Sequence, residues 1–267
     1  MNQKERTMRD ILARGHQEYG VVSVKAEFEA EGTRMDELLR LVDIARSAGL
    51  PLTVKIGGCE AIRDLYEARQ IGVRYIVAPM VESVYAVQKY IGAKNIAFSE
   101  DDQRDVDFLF NMETVNAFAN LNGQVKLAAH DGQLQGIVFG RVDYVGSAGL
   151  PRDDVNSDRV LEDVRTAAAT TRDAGLDFVC GGGVSMDALP FLREVRDVHL
   201  SRFETRKVVF DGSAVQTPRI EKALLEAVHF ELLWLLNKRD YYHHITVEDA
   251  KRIEMLESRW KVLSSSS

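Results

Sequence analysis

One pattern constrains this chain above all others. A short apolar strand, a short loop and an amphipathic helix recur from Val21 to about residue 200 without a break in composition. Strands are expected at 21–28, 52–56, 74–79, 107–112, 136–140, 177–180 and 198–201. Helical spacing fills the intervals, as with Met35, Leu38, Leu39, Val42 and Ala45 before the cap at Gly49. Strands alternating with helices on short loops make a parallel sheet covered by helices, and this many repeats favour closure over an open sheet. The expected fold is therefore α/β, a (β/α)8 TIM-like barrel. The strand count is either incomplete or altered. The eighth strand falls at 95–99, at 125–129, or is absent, and Val208, Val209 and Phe210 pair locally with the last strand.

The ends of the chain differ from its middle. Lys4 to Arg14 reads as a helix. Residues 218–237 and 246–260 read as two helices joined by Asp240, Tyr241, Tyr242, His243 and His244. Leu224, Leu225, Phe230, Leu232, Leu233, Trp234 and Leu236 are too much apolar surface to stand in water, so this part must pack on the barrel or on a second subunit. The expected division is a barrel domain over 1–210 and a helical extension over 211–263, with a homo-oligomer formed through the latter. Ser264 to Ser267 is a low-complexity tail.

Composition narrows the partners. The net charge is −7 with no basic stripe, which argues against nucleic acid. The most apolar helix candidate contains Glu226, His229 and Glu231, so no membrane partner is expected. Two cysteines, Cys59 and Cys180, are too few for a disulfide framework, and no signal peptide is visible; a cytoplasmic location is the expectation.

The chemistry is carried by strand ends, where parallel α/β folds place their sites. Glu113 follows the strand at 107–112, and Asp143 follows the strand at 136–140. They are separated by about thirty residues, the length of one βαβ unit, so both carboxylates reach the same rim. Such a pair suits a hard divalent cation, Mg²⁺ or Mn²⁺; two acids that cap helices or form ion pairs are the alternative. Lys25, Glu27, Glu29, Lys55, Asn111, Gly140, Arg141, Arg202, Glu204 and Arg206 fall at strand ends as well. Charge this dense requires pairing or a metal if it is buried.

Two segments carry a resemblance. Asn111-Met112-Glu113-Thr114-Val115, followed by Gly136-Ile137-Val138-Phe139-Gly140-Arg141-Val142-Asp143-Tyr144, resembles the signature of the HpcH/HpaI aldolase and citrate lyase family. Ile76-Val77-Ala78-Pro79-Met80-Val81 is similar to a further strand of that family, and the resemblance spans roughly residues 20 to 200. It implies that Glu113 and Asp143 hold a divalent metal, which chelates a 2-oxo acid such as pyruvate. It implies a metal-dependent carbon–carbon lyase or aldolase. A condensing or acyl-CoA-type lyase of the same family, and a barrel that binds a metabolite without turnover, are the alternatives. On this reading Lys55 steadies the enolate, Glu27 orients a water or acts as base, and Arg202 or Arg206 selects the far end of the substrate. Asn111, Gly140 and Arg141 are the substrate-binding candidates. Three departures stand out: Phe28 occupies the family's histidine position, Lys55 stands for its arginine, and its opening strand has no counterpart.

Other residues have competing readings. Lys55 could form a Schiff base or simply pair with Glu27 or Glu82. His130 could reach the site from a loop or remain on the surface. Gly181, Gly182 and Gly183 could admit a carboxylate or phosphate to the backbone, or only make a tight turn. Arg202 and Arg206 could grip a substrate anion or pair with Glu204 or Asp197. His199 reads as a satisfied core residue.

Overall fold

The computed structural model describes residues 1–265, so Ser266 and Ser267 of the serine tail lie outside the described residues. Eight strands close into one barrel in sequence order: β1 (Val21–Glu27), β2 (Leu52–Lys55), β3 (Tyr75–Ala78), β4 (Asp107–Met112), β5 (Gly136–Gly140), β6 (Asp177–Gly181), β7 (Arg202–Glu204) and β8 (Val208–Asp211). The helices are α1 (Gln3–Glu18), α2 (Met35–Ser47), α3 (Ile62–Ile71), α4 (Val84–Ala97), α5 (Val115–Ala119), α6 (Leu121–Ala129), α7 (Arg141–Ser147), α8 (Asp158–Asp173), α9 (Leu189–Val198) and α10 (Ile220–Ser265).

The first seven strands are parallel. β8 runs antiparallel to both β7 and β1, and it closes the barrel. The sequence places Val208 to Phe210 beside the last strand correctly, but its second neighbour is β1, with Val24 opposite Val208. The segments 95–99 and 125–129 do not supply the eighth strand. The first holds the end of α4, and the second lies in α6. The expected strand at 198–201 is displaced as well. The buried face of α9, Leu189, Phe191, Leu192 and Val195, carries that helix to Val198, and pairing begins at Arg202.

Two apolar layers result. Outward residues such as Val24, Ala26, Val54, Ile76, Phe110 and Phe178 pack under the helices. Inside the barrel Val77, Leu109, Val138 and Val179 form a small separate core, with Ser23 and Thr53 hydrogen-bonded at 2.7 Å. Side chains one residue apart on a strand face opposite ways. The polar face of β1 therefore points inward, and the layer above this small core is charged.

Ser83, Thr114 and Ser157 cap α4, α5 and α8 through their hydroxyls, so the loops after β3 and β4 and the segment after α7 end at fixed points. At the other end of the chain, one unbroken 46-residue helix replaces the expected pair. Residues 240–244 hold no glycine or proline to stop it. Its first part packs on α1, with Arg14 bound to Glu226 at 2.6 Å and Lys4 to Asp240 at 2.7 Å. Among the described residues no helix is long and apolar enough to cross a membrane.

Candidate active site at the carboxyl rim

The inward residues at the ends of β1, β2, β4 and β7 meet in one charged cluster. The Lys25 ammonium lies 3.0 Å from Glu27 Oε1 and donates to Glu204 Oε1. The Lys55 ammonium lies 3.0 Å from Glu29 Oε2 and 3.6 Å from Glu113 Oε2. Glu113 is 1% exposed. Its Oε1 accepts from the Met80 N–H at 2.9 Å, and its Oε2 from Asn111 Nδ2 at 2.6 Å. Met80 holds φ at 48°, a left-handed conformation unusual for a side chain of its size, and this turn aims its N–H at Glu113.

Space for Glu113 comes from Gly140, at the end of β5. A Cβ there would stand 2.8 Å from Glu113 Oε2 and 2.9 Å from Glu113 Cβ. Gly181 does the same for Glu204 on the next strand, where a Cβ would approach Glu204 Cγ to 3.1 Å. The buried carboxylates thus occupy volume that the neighbouring strands leave open.

Burial and charge decide the protonation states. Burial pushes the Glu113 carboxyl up; Lys55, the Met80 N–H and Asn111 pull it down, Asp143 pushes it up, and the net shift is upward. Burial alone would lower Lys55, but Glu113 and Glu29 outweigh it and hold the ammonium charged. The same contest at Lys25 is won by Glu204 and Glu27. Burial raises Glu27, yet Lys25, Lys55 and Arg206 bring it below the usual carboxylate range. Lys55 is thus placed between Glu113 and Glu29 in the form that does not attack a carbonyl.

The other predicted residues divide. Asp143 sits in the first turn of α7, exposed, on the same rim as Glu113 and near enough to perturb it. Asn111 is buried in the cluster. Arg206 is 55% exposed, 3.8 Å from Glu31, and faces the same rim. Arg202 does not join them. It lies on Tyr75 with its guanidinium 4.4 Å from the ring centroid, and it reaches Asp177 at 2.9 Å. Tyr75 and Asp177 open their strands, so Arg202 is at the amino end of the barrel and cannot grip a substrate at the rim. Alternation along β7 explains this: Glu204, two residues on, takes the rim position.

Arg141 is also corrected as a substrate-binding candidate. It is 0% exposed, and each of its nitrogens is engaged: Nε on Gly181 O, Nη2 on Gly182 O and Nη1 on Asn156 Oδ1. It ties the glycine turn after β6 to α7. A Cβ on Gly182 would meet Val142 N at 2.7 Å, so that turn packs closely on the start of α7, while Gly183 is exposed. His130 is exposed beside Asp131 in the turn that leads into β5, at the opposite end from Glu113. His199 binds the Leu176 carbonyl at 2.9 Å, satisfied as expected, although it caps α9 rather than alternating on a strand.

Sequence reasoning missed a further ion pair at this rim. Lys207, 2% exposed, is bound to Glu31 from the loop after β1. The signal was hidden because Lys207 precedes a strand. Only the reversal of β8 turns a strand start into a rim position.

A divalent cation can be tested against these residues. Asn111 Oδ1 is buried without a hydrogen-bond partner, and its amide orientation is fixed by the 2.6 Å donation to Glu113. Each Glu113 oxygen accepts one hydrogen bond and retains a lone pair. The cluster sets Lys25 and Lys55 against Glu27, Glu29, Glu113 and Glu204, a surplus of two carboxylates before Asp143 is added. The donors are all oxygen, and the charge balance is negative, so the residues fit a hard cation. Among the described residues no three His, Cys, Asp or Glu side chains form a complete ligand cage.

No protein-family model and no curated protein matches the sequence. Solved structures do share the fold. A structure described as the citrate synthase SbnG is 19% identical with a TM-score of 0.58, covering 75% of this chain and 81% of its own. An HpcH/HpaI aldolase/citrate lyase family protein from Burkholderia cenocepacia J2315 is 16% identical with a TM-score of 0.56, over 73% of this chain and 81% of its own. RipC from Yersinia pestis is 15% identical with a TM-score of 0.50, over 79% and 88%. The resemblance first carried by two short motifs thus extends to the barrel of HpcH/HpaI aldolase and citrate lyase proteins.

Proposed function

We propose that the carboxyl rim is the active site of a divalent-metal-dependent carbon–carbon lyase acting on a 2-oxo acid. The observation that carries this reading is Glu113: buried, held by the Met80 N–H and the Asn111 amide, next to an ammonium and an unpartnered amide oxygen. Glu113 and Asp143 would hold Mg²⁺ or Mn²⁺, with Asn111 Oδ1 within the same cradle. When bound, such a cation supplies a Lewis acid that draws electron density from a ketone.

The chain's own residues supply the rest. Lys55 sets a positive charge beside Glu113, where negative charge grows as a bond next to the ketone breaks. Phe28 replaces the family's histidine, and Glu27 is the carboxylate that stays ionised at the rim. Lowered in this way it is a weak base, so its part is to orient a water held in the cluster. Lys25 and Glu204 fix Glu27 in place. Arg206, half-exposed and weakly paired, is free to meet the distal carboxylate of a substrate.

The test is enolisation: cleavage leaves the enolate to be protonated and condensation forms it first, so both directions pass through it. Incubation with pyruvate and longer 2-oxo acids in D₂O, followed by NMR, is expected to show exchange of the C3 protons that needs Mn²⁺ or Mg²⁺ and is lost in Glu27→Gln. Exchange that persists in EDTA would contradict the metal's part. No exchange with any oxo acid would contradict the substrate class. The condensing direction is a second reading, favoured by the citrate synthase among the similar structures; the same exchange precedes it.

A further inference from the structure

Helix α10 presents two apolar faces, and the barrel uses only one. Ala223, Ala227, Phe230 and Trp234 are buried against the body of the protein. On the opposite side Leu225, Val228, Leu232 and Leu235 are 60%, 62%, 52% and 53% exposed. Their spacing of three and four residues is that of a coiled-coil seam. The same spacing, in the same phase, resumes at Ile253, Leu256 and Trp260, which are 55%, 54% and 72% exposed. Between the two runs the seam passes through Arg239, Tyr242, Thr246 and Asp249.

The second run stands away from the barrel. Lys4 grips Asp240, and the Tyr242 hydroxyl donates to Glu37 at 2.5 Å. Residues 243–262 beyond are exposed throughout. The helix is 46 residues long, about 69 Å at 1.5 Å per residue. An arm of this kind has no core of its own, and in proteins most helical stability comes from packing an apolar face.

We infer that α10 pairs antiparallel with α10 of a second copy of this chain, about a two-fold axis near His244. That register sets Val228 against the partner's Trp260, Leu232 against the partner's Leu256, and Leu235 against the partner's Ile253. At the polar middle it sets Arg239 against the partner's Asp249, while Tyr242, held by Glu37 and Arg34 of its own barrel, only borders the partner's Thr246. On the flank Glu231 meets the partner's Arg259. Lys238 would meet the partner's Arg252, but Lys238 is already neutralised 3.0 Å from Glu37. Every pair occurs twice, as an isologous interface requires. Parallel pairing is excluded by charge: it would set Arg239 on Arg239 and Asp249 on Asp249. Charges on and beside a seam are the features that select orientation.

Sedimentation equilibrium of the full chain at micromolar concentration is expected to give a dimer. Arg239→Asp and Asp249→Arg are each expected to weaken it by about tenfold or more, and together to restore it, as a coupled charge pair does. Orientation is read separately on a Cys59→Ser background with a short bifunctional thiol reagent. Ile245→Cys is expected to cross-link to its own copy. Ile253→Cys is expected to cross-link only when mixed with Leu235→Cys. A monomer at all concentrations would overturn the inference, and so would self-cross-linking of Ile253→Cys. The rim chemistry is read by oxo-acid exchange, so either conclusion can fail without the other.

Discussion

At the level of single residues, the site is a set of charges that tolerate burial because each is answered. Lys25 is the clearest case. With its ammonium removed, Glu27 and Glu204 face each other as buried like charges. Lys25→Met is expected to cost about 3–5 kcal/mol, the usual cost of breaking a buried pair, read as a lower urea midpoint. The signs of the shifts set the pH behaviour. Glu27 is lowered, so its contribution is present above its unfolded value of 4.5 and lost as pH falls through the folded value. Lys25 and Lys55 are raised, so theirs is present below 10.5 and lost only as pH rises through the folded values. Glu113 is raised, so its ionised form opposes folding above its folded pKa, and this opposition fades as pH falls through it. In EDTA, the melting temperature of Glu113→Gln relative to the parent is therefore expected to rise between pH 4 and pH 8. A difference independent of pH would show that Glu113 is not strained by its burial. Strand-end position made most of these residues legible in the sequence. It failed for Arg202, where a strand displaced by a few residues sent the side chain to the other end, and for Arg141, whose burial no local pattern signals.

At the level of elements, the rim depends on what the strands leave out. Gly140 has φ −90°, so nothing in its backbone demands glycine. The demand is steric, since a Cβ would overlap Glu113. Gly140→Ala is expected to lose about 1–3 kcal/mol of stability, as overpacking does, and to reduce cation affinity with it. Unchanged affinity would mean that Glu113 is not a ligand. α10 shows the converse limit of reading elements from sequence. Residues 240–244 look like a linker because they are polar and aromatic, yet nothing there breaks a helix, and propagation continues.

At the level of the whole molecule, closure rests on a strand that runs the wrong way. β8 joins β7 to β1, and Phe203 stacks on Phe210 across the β7–β8 pair with centroids 5.0 Å apart. Phe210→Ala is expected to cost about 3–5 kcal/mol and to lower the whole cooperative transition, because it opens the barrel seam. Melting of a local segment alone would show that the seam is not part of the core. The repeat in the sequence made the barrel legible. The direction of β8 was not, because four residues after a tight turn carry no sign of polarity. Yet that reversal places Lys207 at the rim. The central claim concerns two acids and one cation, and the most direct measurement is calorimetric titration with Mn²⁺ of the parent, Glu113→Gln and Asp143→Asn. One ion per chain in the parent, lost in Glu113→Gln and weakened at least about tenfold in Asp143→Asn, is the predicted result. Stoichiometric binding of equal affinity in all three would contradict it.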